Sequence, residues 1–245
     1  MKKLILLLFV TSSILSYSQQ KESAGSGFLK KAGSALGKAK GGSALSNEEI
    51  IAGLKEALSV GAQNSSSKLS SVDGFFANAA IKVLMPAEAK KVETTLRNAG
   101  MGQMVDDAIL SMNRAAEEAS KSAAPIFIDA IKQINFQDAL GILRGTDTAA
   151  TSYLRGKTMS PLTSAFQPVI DDALQKTGAT KYWKTVFETY NKLPTTFKKI
   201  NTDLSGYVTE KALTGLFYQV AVEEQQIRKN PAARVNDVLK KVFGS

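Results

Sequence analysis

The chain contains no cysteine and no histidine among its 245 residues. Without cysteine, no disulfide bond can form, and no lipid can be attached through an N-terminal cysteine. Without histidine or cysteine, Ser–His and Cys–His nucleophile pairs are excluded, and so are ordinary zinc, copper and haem sites. The sequence therefore predicts no metal ion and no other cofactor, and it excludes most enzyme mechanisms.

The chain also lacks an apolar run long enough to cross a bilayer, which requires roughly 20 residues. The N-terminus instead has the pattern of a secretory signal. Lys2 and Lys3 precede a short apolar run over Leu4–Val10, and Ser16-Tyr17-Ser18 supplies small residues at the cleavage site. The sequence predicts a signal peptide over residues 1–18, with cleavage after Ser18. We expect export to the periplasm or the extracellular space and no transmembrane helix.

Residues 19–44 consist mainly of Gly, Ala, Ser and Lys and contain few large apolar side chains. Such a segment cannot bury enough surface to offset its ordering entropy, so the composition favours a flexible basic linker. The alternative is an arm that binds weakly to an anionic surface. Its basic residues are Lys21, Lys30, Lys31, Lys38 and Lys40. Beyond this segment the two signs of charge are nearly balanced, although the whole chain carries +9, so no nucleic-acid partner is expected.

From residue 45 to 245 the apolar residues follow a helical period, and no segment alternates with period two. Helix start signals include a capping box at Ser46 and a cap at Asn135. Gly156 and Pro161 indicate a break between helices over 147–156 and 161–178. A last helix is predicted over 231–243. We expect an all-α domain, a single bundle of about nine or ten helices without a sheet.

The helix predicted over 206–229 contains a carboxylate on its apolar face. That face is formed by Leu213, Leu216, Phe217, Val220 and Ile227. Glu224 lies in the middle of it, and an isolated ionised carboxylate in a core is costly. Arg228, four residues later, is the local candidate partner, and Arg144 or Arg155 are candidates from other helices. A buried structural salt bridge is favoured over a carboxylate exposed in a pocket.

A second helix, predicted over 103–122, places alternating charges opposite its apolar face. These residues are Asp107, Arg114, Glu118 and Lys121. A solvated face is favoured, and a second buried network is expected if another helix covers that side. Asn113, at the edge of the apolar face, is positioned to bond backbone groups across an interface.

Four aromatic residues cluster on one predicted helix: Tyr182, Trp183, Phe187 and Tyr190. Their spacing covers one helix face and its neighbour. Core packing or a groove for a partner is favoured over stacking on a sugar.

Several strings together resemble one bacterial family. They include Asp73-Gly74-Phe75, Asn113-Arg114-Ala115-Ala116-Glu117, Leu143-Arg144-Gly145, Ala150-Thr151-Ser152-Tyr153, Glu223-Glu224 and Ile227-Arg228-Lys229-Asn230-Pro231. The chain resembles the domain-of-unknown-function family 4197 across roughly residues 45–244. The resemblance implies an exported, helical, single-domain protein, and it supplies no catalytic residues.

These observations favour a non-enzymatic helical binding or scaffolding protein of the bacterial envelope, with an apolar ligand or an envelope component as its partner. The alternative is a carboxylate-based hydrolase or lyase acting on cell-wall glycan, with Glu224 or Glu117 as the acid. A third hypothesis is a polyanion binder that uses residues 21–40. No catalytic residue is assigned. The candidate binding or buried-network residues are Glu224, Arg228, Arg144, Arg155, Arg114, Glu117, Glu118 and Asn113.

Overall fold

The described part of the chain is built from α-helices and contains no strand. A computed structural model describes residues 46–191, 199, 203–234, 237, 239 and 240. Its helices are α1 (Asn47–Ser70), α2 (Lys90–Asn98), α3 (Gly102–Ser120), α4 (Ala123–Lys132), α5 (Phe136–Arg144), α6 (Ala149–Lys176), α7 (Ala179–Asn191) and α8 (Leu204–Lys229). Short 3-10 turns cover Ala87–Ala89 and Pro231–Ala233. The all-α prediction is confirmed over these residues.

Two helices begin at the predicted caps. At α1 the Ser46 hydroxyl accepts from the backbone N–H of Glu49, and the Glu49 carboxylate accepts from the N–H of Ser46. Asn135 and Asp138 form the same reciprocal pair at α5. Each arrangement satisfies two N–H groups that have no partner inside the helix, which fixes where the helix starts.

The predicted break between residues 156 and 161 is wrong, because α6 runs without interruption through Pro161 and Pro168. A proline inside a helix costs about 3 kcal/mol. That cost is offset by burial along a continuous stripe with a spacing of four residues. The stripe comprises Leu154, Thr158, Leu162, Phe166, Ile170 and Leu174. Each large apolar side chain contributes about 1.5–3 kcal/mol when buried. The described helices are therefore fewer than the nine or ten predicted.

The core lies where α6 and α8 pack against each other and against α3, with α1 and α4 closing another side. The Phe127 and Phe217 rings meet edge to face in this core, with centroids 5.8 Å apart. Phe166 and Leu216 are fully buried. The two longest described helices, α6 and α8, therefore supply the centre of the core, against which the site residues pack.

The segment between α1 and the first 3-10 turn is irregular, yet it enters the core. Phe75 and Val83 are almost completely buried. Gly74 permits this path, because a Cβ atom there would lie 2.5 Å from the carbonyl oxygens of Leu69 and Lys68. The chain can therefore turn back against the end of α1 only with glycine at this position.

The predicted signal peptide and basic linker, residues 1–44, lie outside the described residues. Of the predicted helix over 231–243, residues 235, 236, 238 and 241–243 also lie outside them; Pro231–Ala233 form a 3-10 turn, and Asp237, Leu239 and Lys240 are helical. No helix in the described ranges is both long and apolar enough to cross a membrane. Within the same ranges, acidic side chains never gather in a group of three that could hold a metal ion.

Candidate functional site

Glu224 is buried and caps a helix far from it in sequence. Its Oε1 accepts from the backbone N–H of Ala150 at 3.0 Å, and its Oε2 accepts from the N–H and hydroxyl of Thr151, each at 2.8 Å. These N–H groups belong to the first turn of α6, where Thr148 provides no side-chain cap. The carboxylate therefore neutralises the positive end of the α6 dipole.

Arg228 binds both Glu224 and the C-terminal end of α5. Its Nε and Nη2 donate to Glu224 Oε1 at 3.0 and 2.8 Å. Its Nη2 also donates to the carbonyl of Ile142 at 2.7 Å, in the last turn of α5. A cation is favourable there, because the final carbonyls of a helix carry its negative end. We call these contacts the Glu224–Arg228 clasp.

The clasp leaves the carboxylate no capacity for a substrate. The Glu224 side chain is 6% exposed and that of Arg228 is 10% exposed. A carboxylate offers about four lone-pair positions, and five donors already approach Glu224. The pairing with Arg228 follows the interpretation favoured from the sequence, and its geometry is that of a structural link between α5, α6 and α8.

Arg114 and Glu117 form a second network, partly buried, against a loop rather than a helix. Glu117 is 4% exposed, and its Oε1 accepts from the backbone N–H groups of Phe75 and Phe76 at 3.1 and 3.2 Å. Arg114 Nη1 donates to Glu117 Oε2 at 2.6 Å, and its Nη2 donates to Asp73 Oδ1 at 2.7 Å. Asp107, Glu118 and Lys121 are exposed, as expected of a solvated face. Arg114, 39% exposed, lies at the border of that face and binds the Asp73–Phe76 loop.

Asn113 binds the backbone of the same irregular segment. Its Oδ1 accepts from the N–H of Val83 at 2.9 Å, and its Nδ2 donates to the carbonyl of Val83 at 2.8 Å. The side chain is fully buried, so both of the polar groups of Val83 are satisfied inside the core. Asn113 thus forms the expected hydrogen bonds to backbone groups of another segment.

The remaining candidates lie elsewhere. Glu118 is exposed and pairs with Lys121. Arg144 is exposed at the end of α5, and no ion pair joins it to Glu224 in the described part of the chain. Arg155 is also exposed, with its guanidinium carbon 5.4 Å from the centre of the Phe217 ring. The structure thus joins Arg228, and neither of the other two arginines, to Glu224.

A cavity of about 330 Å³ lies between α3 and α7, and we call it the α3–α7 cavity. Its buried apolar lining comprises Met85, Val105, Met112, Ala179, Trp183, Phe187 and Leu204. Met104 also lines it and is 41% exposed. The described residues place one charged side chain in the lining, Asp107, which accepts from Gln103 at 2.8 Å. The arrangement can hold an apolar group, and it offers one charged contact together with the hydroxyls of Ser111 and Thr177.

The aromatic cluster supplies part of this cavity. The rings of Trp183 and Phe187 lie with their centroids 4.5 Å apart, and both side chains are buried. The side chains of Tyr182 and Tyr190 lie outside the described residues. The spacing of Trp183 and Phe187 was the one sequence signal for the cavity, because its methionines and its small residues carry no pattern of their own.

A family model described as "Protein of unknown function (DUF4197)" matches residues 44–244. The chain belongs to this family. Neither a curated protein nor a solved structure matches it. In this DUF4197 domain, strings that carry the resemblance meet in space. Asp73-Gly74-Phe75 binds the Arg114–Glu117 pair, and Ala150-Thr151 binds Glu224. These motifs hold the DUF4197 domain together, and the α3–α7 cavity is its best candidate for a ligand site.

Proposed function

We propose that the chain is an exported, non-enzymatic helical protein of the bacterial envelope that binds one apolar or amphipathic small molecule in the α3–α7 cavity. The observation that carries this proposal is the cavity itself. A space of about 330 Å³ that opens to solvent and is lined largely by buried apolar side chains falls within the usual size of ligand pockets.

The composition of the lining favours apolar ligands and tolerates variation in their shape. Three methionines, Met85, Met104 and Met112, line the cavity together with Trp183 and Phe187. Methionine is unbranched and polarisable, so it adapts to irregular apolar surfaces. The aromatic pair adds flat, rigid contact area. Asp107 gives the ligand one polar contact, which suits an amphipathic molecule with a neutral or cationic polar end.

The alternative of a glycan hydrolase receives no support from the positions of its proposed acids. Glycosidic chemistry requires a carboxyl group that reaches the substrate oxygen. Glu224 and Glu117 are both buried, and both are occupied by backbone N–H groups and an arginine. We therefore propose ligand binding rather than hydrolysis. A purely scaffolding protein would not require a ligand in the cavity.

The single tryptophan of the chain provides the test, because Trp183 lines the cavity. The full chain is titrated with N-phenyl-1-naphthylamine, a neutral apolar fluorophore, and Trp183 emission is recorded. We expect saturable quenching. Ser111→Leu and Ala108→Leu place larger side chains in the cavity and are expected to weaken binding at least about tenfold. Ser160→Leu, on an exposed part of α6, is the matched control and is expected to bind like the parent.

If the parent shows no saturable quenching, no ligand binds in this cavity. Unchanged quenching in a folded Ser111→Leu variant would likewise contradict the proposal. Thermal unfolding of each variant confirms that the comparison is between folded proteins. If the folded protein does not bind the fluorophore in this cavity, scaffolding in the envelope becomes the function to test next.

Export is tested separately from binding. The full gene is expressed in a Gram-negative host, and the periplasmic and cytoplasmic fractions are compared. We expect the protein outside the cytoplasm, with Gln19 as its first residue by mass spectrometry. A cytoplasmic protein that retains Met1 contradicts export. Replacing Lys21, Lys30, Lys31, Lys38 and Lys40 by glutamine tests the basic segment, since any binding to anionic vesicles is expected to fall with that change and with added salt.

A further inference from the structure

Three of the six methionines of the chain line the α3–α7 cavity, and they differ in their access to solvent. Met85 is 8% exposed and Met112 is 1% exposed, so both belong to the core. Met104 is 41% exposed. Among the described lining residues, Met104 therefore presents the thioether that a small molecule dissolved in water can reach directly.

The backbone of α3 fixes the position of Met104 at the rim of the cavity. The residue lies in the first turn of the helix. Ala108 and Met112, one and two turns later, line the same cavity, because residues at intervals of four share a helix face. Exposure falls along this face, from exposed Met104 through partly buried Ala108 to buried Met112. An apolar ligand that enters the cavity therefore passes the thioether of Met104.

A second exposed methionine lies close to Met104 in sequence but does not line the cavity. Met101 is 40% exposed, almost the same fraction as Met104, and it immediately precedes α3. It is not part of the cavity lining in the described ranges. The two thioethers are therefore alike in their access to an oxidant, and they differ in whether they border the apolar space.

Oxidation changes the chemistry of such a thioether without breaking the chain. The sulfur of Met104 attacks one oxygen of a hydroperoxide, and the O–O bond breaks. The transferred oxygen passes its proton to the departing oxygen, which leaves as water or as an alcohol. Sulfur is oxidised and the hydroperoxide is reduced. The product is a methionine sulfoxide, which is polar where the thioether was apolar.

A polar S=O group at the rim disfavours an apolar ligand. A ligand that packs against the sulfoxide removes water from its oxygen, and removing a polar group from water without a new hydrogen bond is costly. The side chains of Ala108 and Met112, which follow Met104 on the cavity face, offer no donor in return. Met85 and Met112 are sheltered from the oxidant by burial, so the core beneath the rim keeps its packing.

We propose that Met104 is an oxidation site that lowers the affinity of the α3–α7 cavity for apolar ligands. This inference rests on the proposed function, because it requires a ligand in the cavity. The change is reversible, since methionine sulfoxide reductases restore the thioether at the expense of thiols and release the oxygen as water. The cavity therefore holds its ligand while Met104 is reduced and releases it when Met104 is oxidised by a hydroperoxide.

The test titrates the full chain with N-phenyl-1-naphthylamine before and after treatment with hydrogen peroxide, while peptide mass spectrometry maps the oxidised methionines. We expect Met101 and Met104 to be oxidised before Met85 and Met112. The dissociation constant of the fluorophore is expected to rise about fivefold once Met104 is oxidised. Treatment with methionine sulfoxide reductases and a thiol is expected to restore the original affinity.

Variants separate the effect of Met104 from that of its exposed neighbour. Met104→Leu keeps an apolar side chain of similar size, so we expect it to bind the fluorophore and to lose no affinity in peroxide. Met101→Leu is the matched control and is expected to lose affinity as the parent does. Met104→Gln places a polar side chain of similar length at the rim and is expected to weaken binding about fivefold without oxidant. Met101→Gln should leave binding unchanged, and thermal unfolding verifies that each variant is folded.

Three results overturn the proposal. The first is unchanged affinity in a parent protein whose Met104 is fully oxidised. The second is a loss of affinity in peroxide that persists in Met104→Leu or disappears in Met101→Leu, which assigns the effect to another residue. The third is a Met104 that remains a thioether under conditions that oxidise Met101. Each of these leaves the proposed function intact when the untreated parent binds the fluorophore, whereas an untreated parent that does not bind overturns both proposals.

Discussion

Arg228 Nη2 lies 2.8 Å from Glu224 Oε1 while the same nitrogen donates to the carbonyl of Ile142. The ion pair is thus also a junction between the start of α6 and the end of α5. Removing one partner of a buried pair leaves an uncompensated charge, which typically costs about 3–5 kcal/mol, whereas replacing both is far milder.

We predict that Glu224→Gln lowers the free energy of unfolding by about 3 kcal/mol, and that Arg228→Met does so by a similar amount. The double variant is expected to lose much less than the sum, because neither charge is then left alone. Urea denaturation measures all three. Glu223→Gln is the control: Glu223 is only partly buried and accepts from Gln219, so a change within about 0.5 kcal/mol is expected. Additive losses would show that the two side chains act independently.

A second prediction concerns Gly74. A Cβ atom at this position would lie 2.5 Å from the carbonyl oxygens of Leu69 and Lys68, so Gly74→Ala must displace the loop that Arg114 and Glu117 hold. We expect a loss of about 3 kcal/mol in unfolding free energy. Gly141→Ala is the matched control. Nothing lies within 4 Å of a Cβ atom there, and the position is exposed in α5, so a gain of about 0.5–1 kcal/mol is expected. Equal effects from the two substitutions would refute the role of the loop.

A third prediction concerns close packing between the loop and α8. A Cβ atom on Gly215 would lie 2.5 Å from Cε1 of the Phe75 ring. Gly215→Ala is therefore expected to cost about 1–3 kcal/mol through overpacking. Adding Phe75→Leu removes part of the ring, so the double variant should be more stable than the two single losses predict. Thermal unfolding of the set measures this coupling, and strictly additive values would contradict a direct contact.

The fourth prediction is a loss of stability at alkaline pH. Burial raises the pKa of the Tyr207 hydroxyl to about 12 from its ordinary value of 10.0, with smaller contributions from Glu210 and Glu88. The hydroxyl donates to the carbonyl of Leu84 at 2.8 Å. Because the folded state holds this proton more tightly, the contribution is intact below pH 10.0 and is lost as the pH rises from there toward about 12.

The phenol-specific part of this loss is isolated by comparing the parent with Tyr207→Phe. Chemical denaturation is followed at several pH values across that window. The parent is expected to lose stability more steeply than the variant. Parallel curves for the two proteins would mean that the titration of Tyr207 does not contribute.

The polar residues Glu224 and Asn113 could be predicted as site residues because they interrupt or border an apolar helix face. Glu224 interrupts an apolar stripe, and Arg228 stands one turn later, so their pairing follows from helical geometry alone. Asn113 was identified in the same way, at the edge of an apolar face. The backbone partners of these side chains have no such signal. Nothing in residues 150 and 151, or in Phe75 and Phe76, indicates that their N–H groups face a carboxylate brought by another helix.

The error at Gly156 and Pro161 has a related cause. From the local sequence alone, glycine and proline usually indicate the end of a helix. The buried stripe of α6, however, continues past Gly156 and Pro161. Burial along the full length outweighs the local penalty. The α3–α7 cavity also could not be predicted from the sequence, since its lining comes from four helices and two connecting segments, and since methionine and alanine show no spacing specific to a cavity.

The position of Glu224 and Arg228 in the chain has a consequence for the order of folding. Both charges that close the α5–α6 junction come from the last long helix. Glu224 lies more than 70 residues beyond the N–H groups that donate to it, and Arg228 lies 86 residues beyond the carbonyl of Ile142. The junction therefore cannot be completed while the nascent chain ends before α8. Contacts of such long sequence separation also slow folding. Until nearly all of the chain has been synthesised, the chain therefore lacks the link that joins α5, α6 and α8.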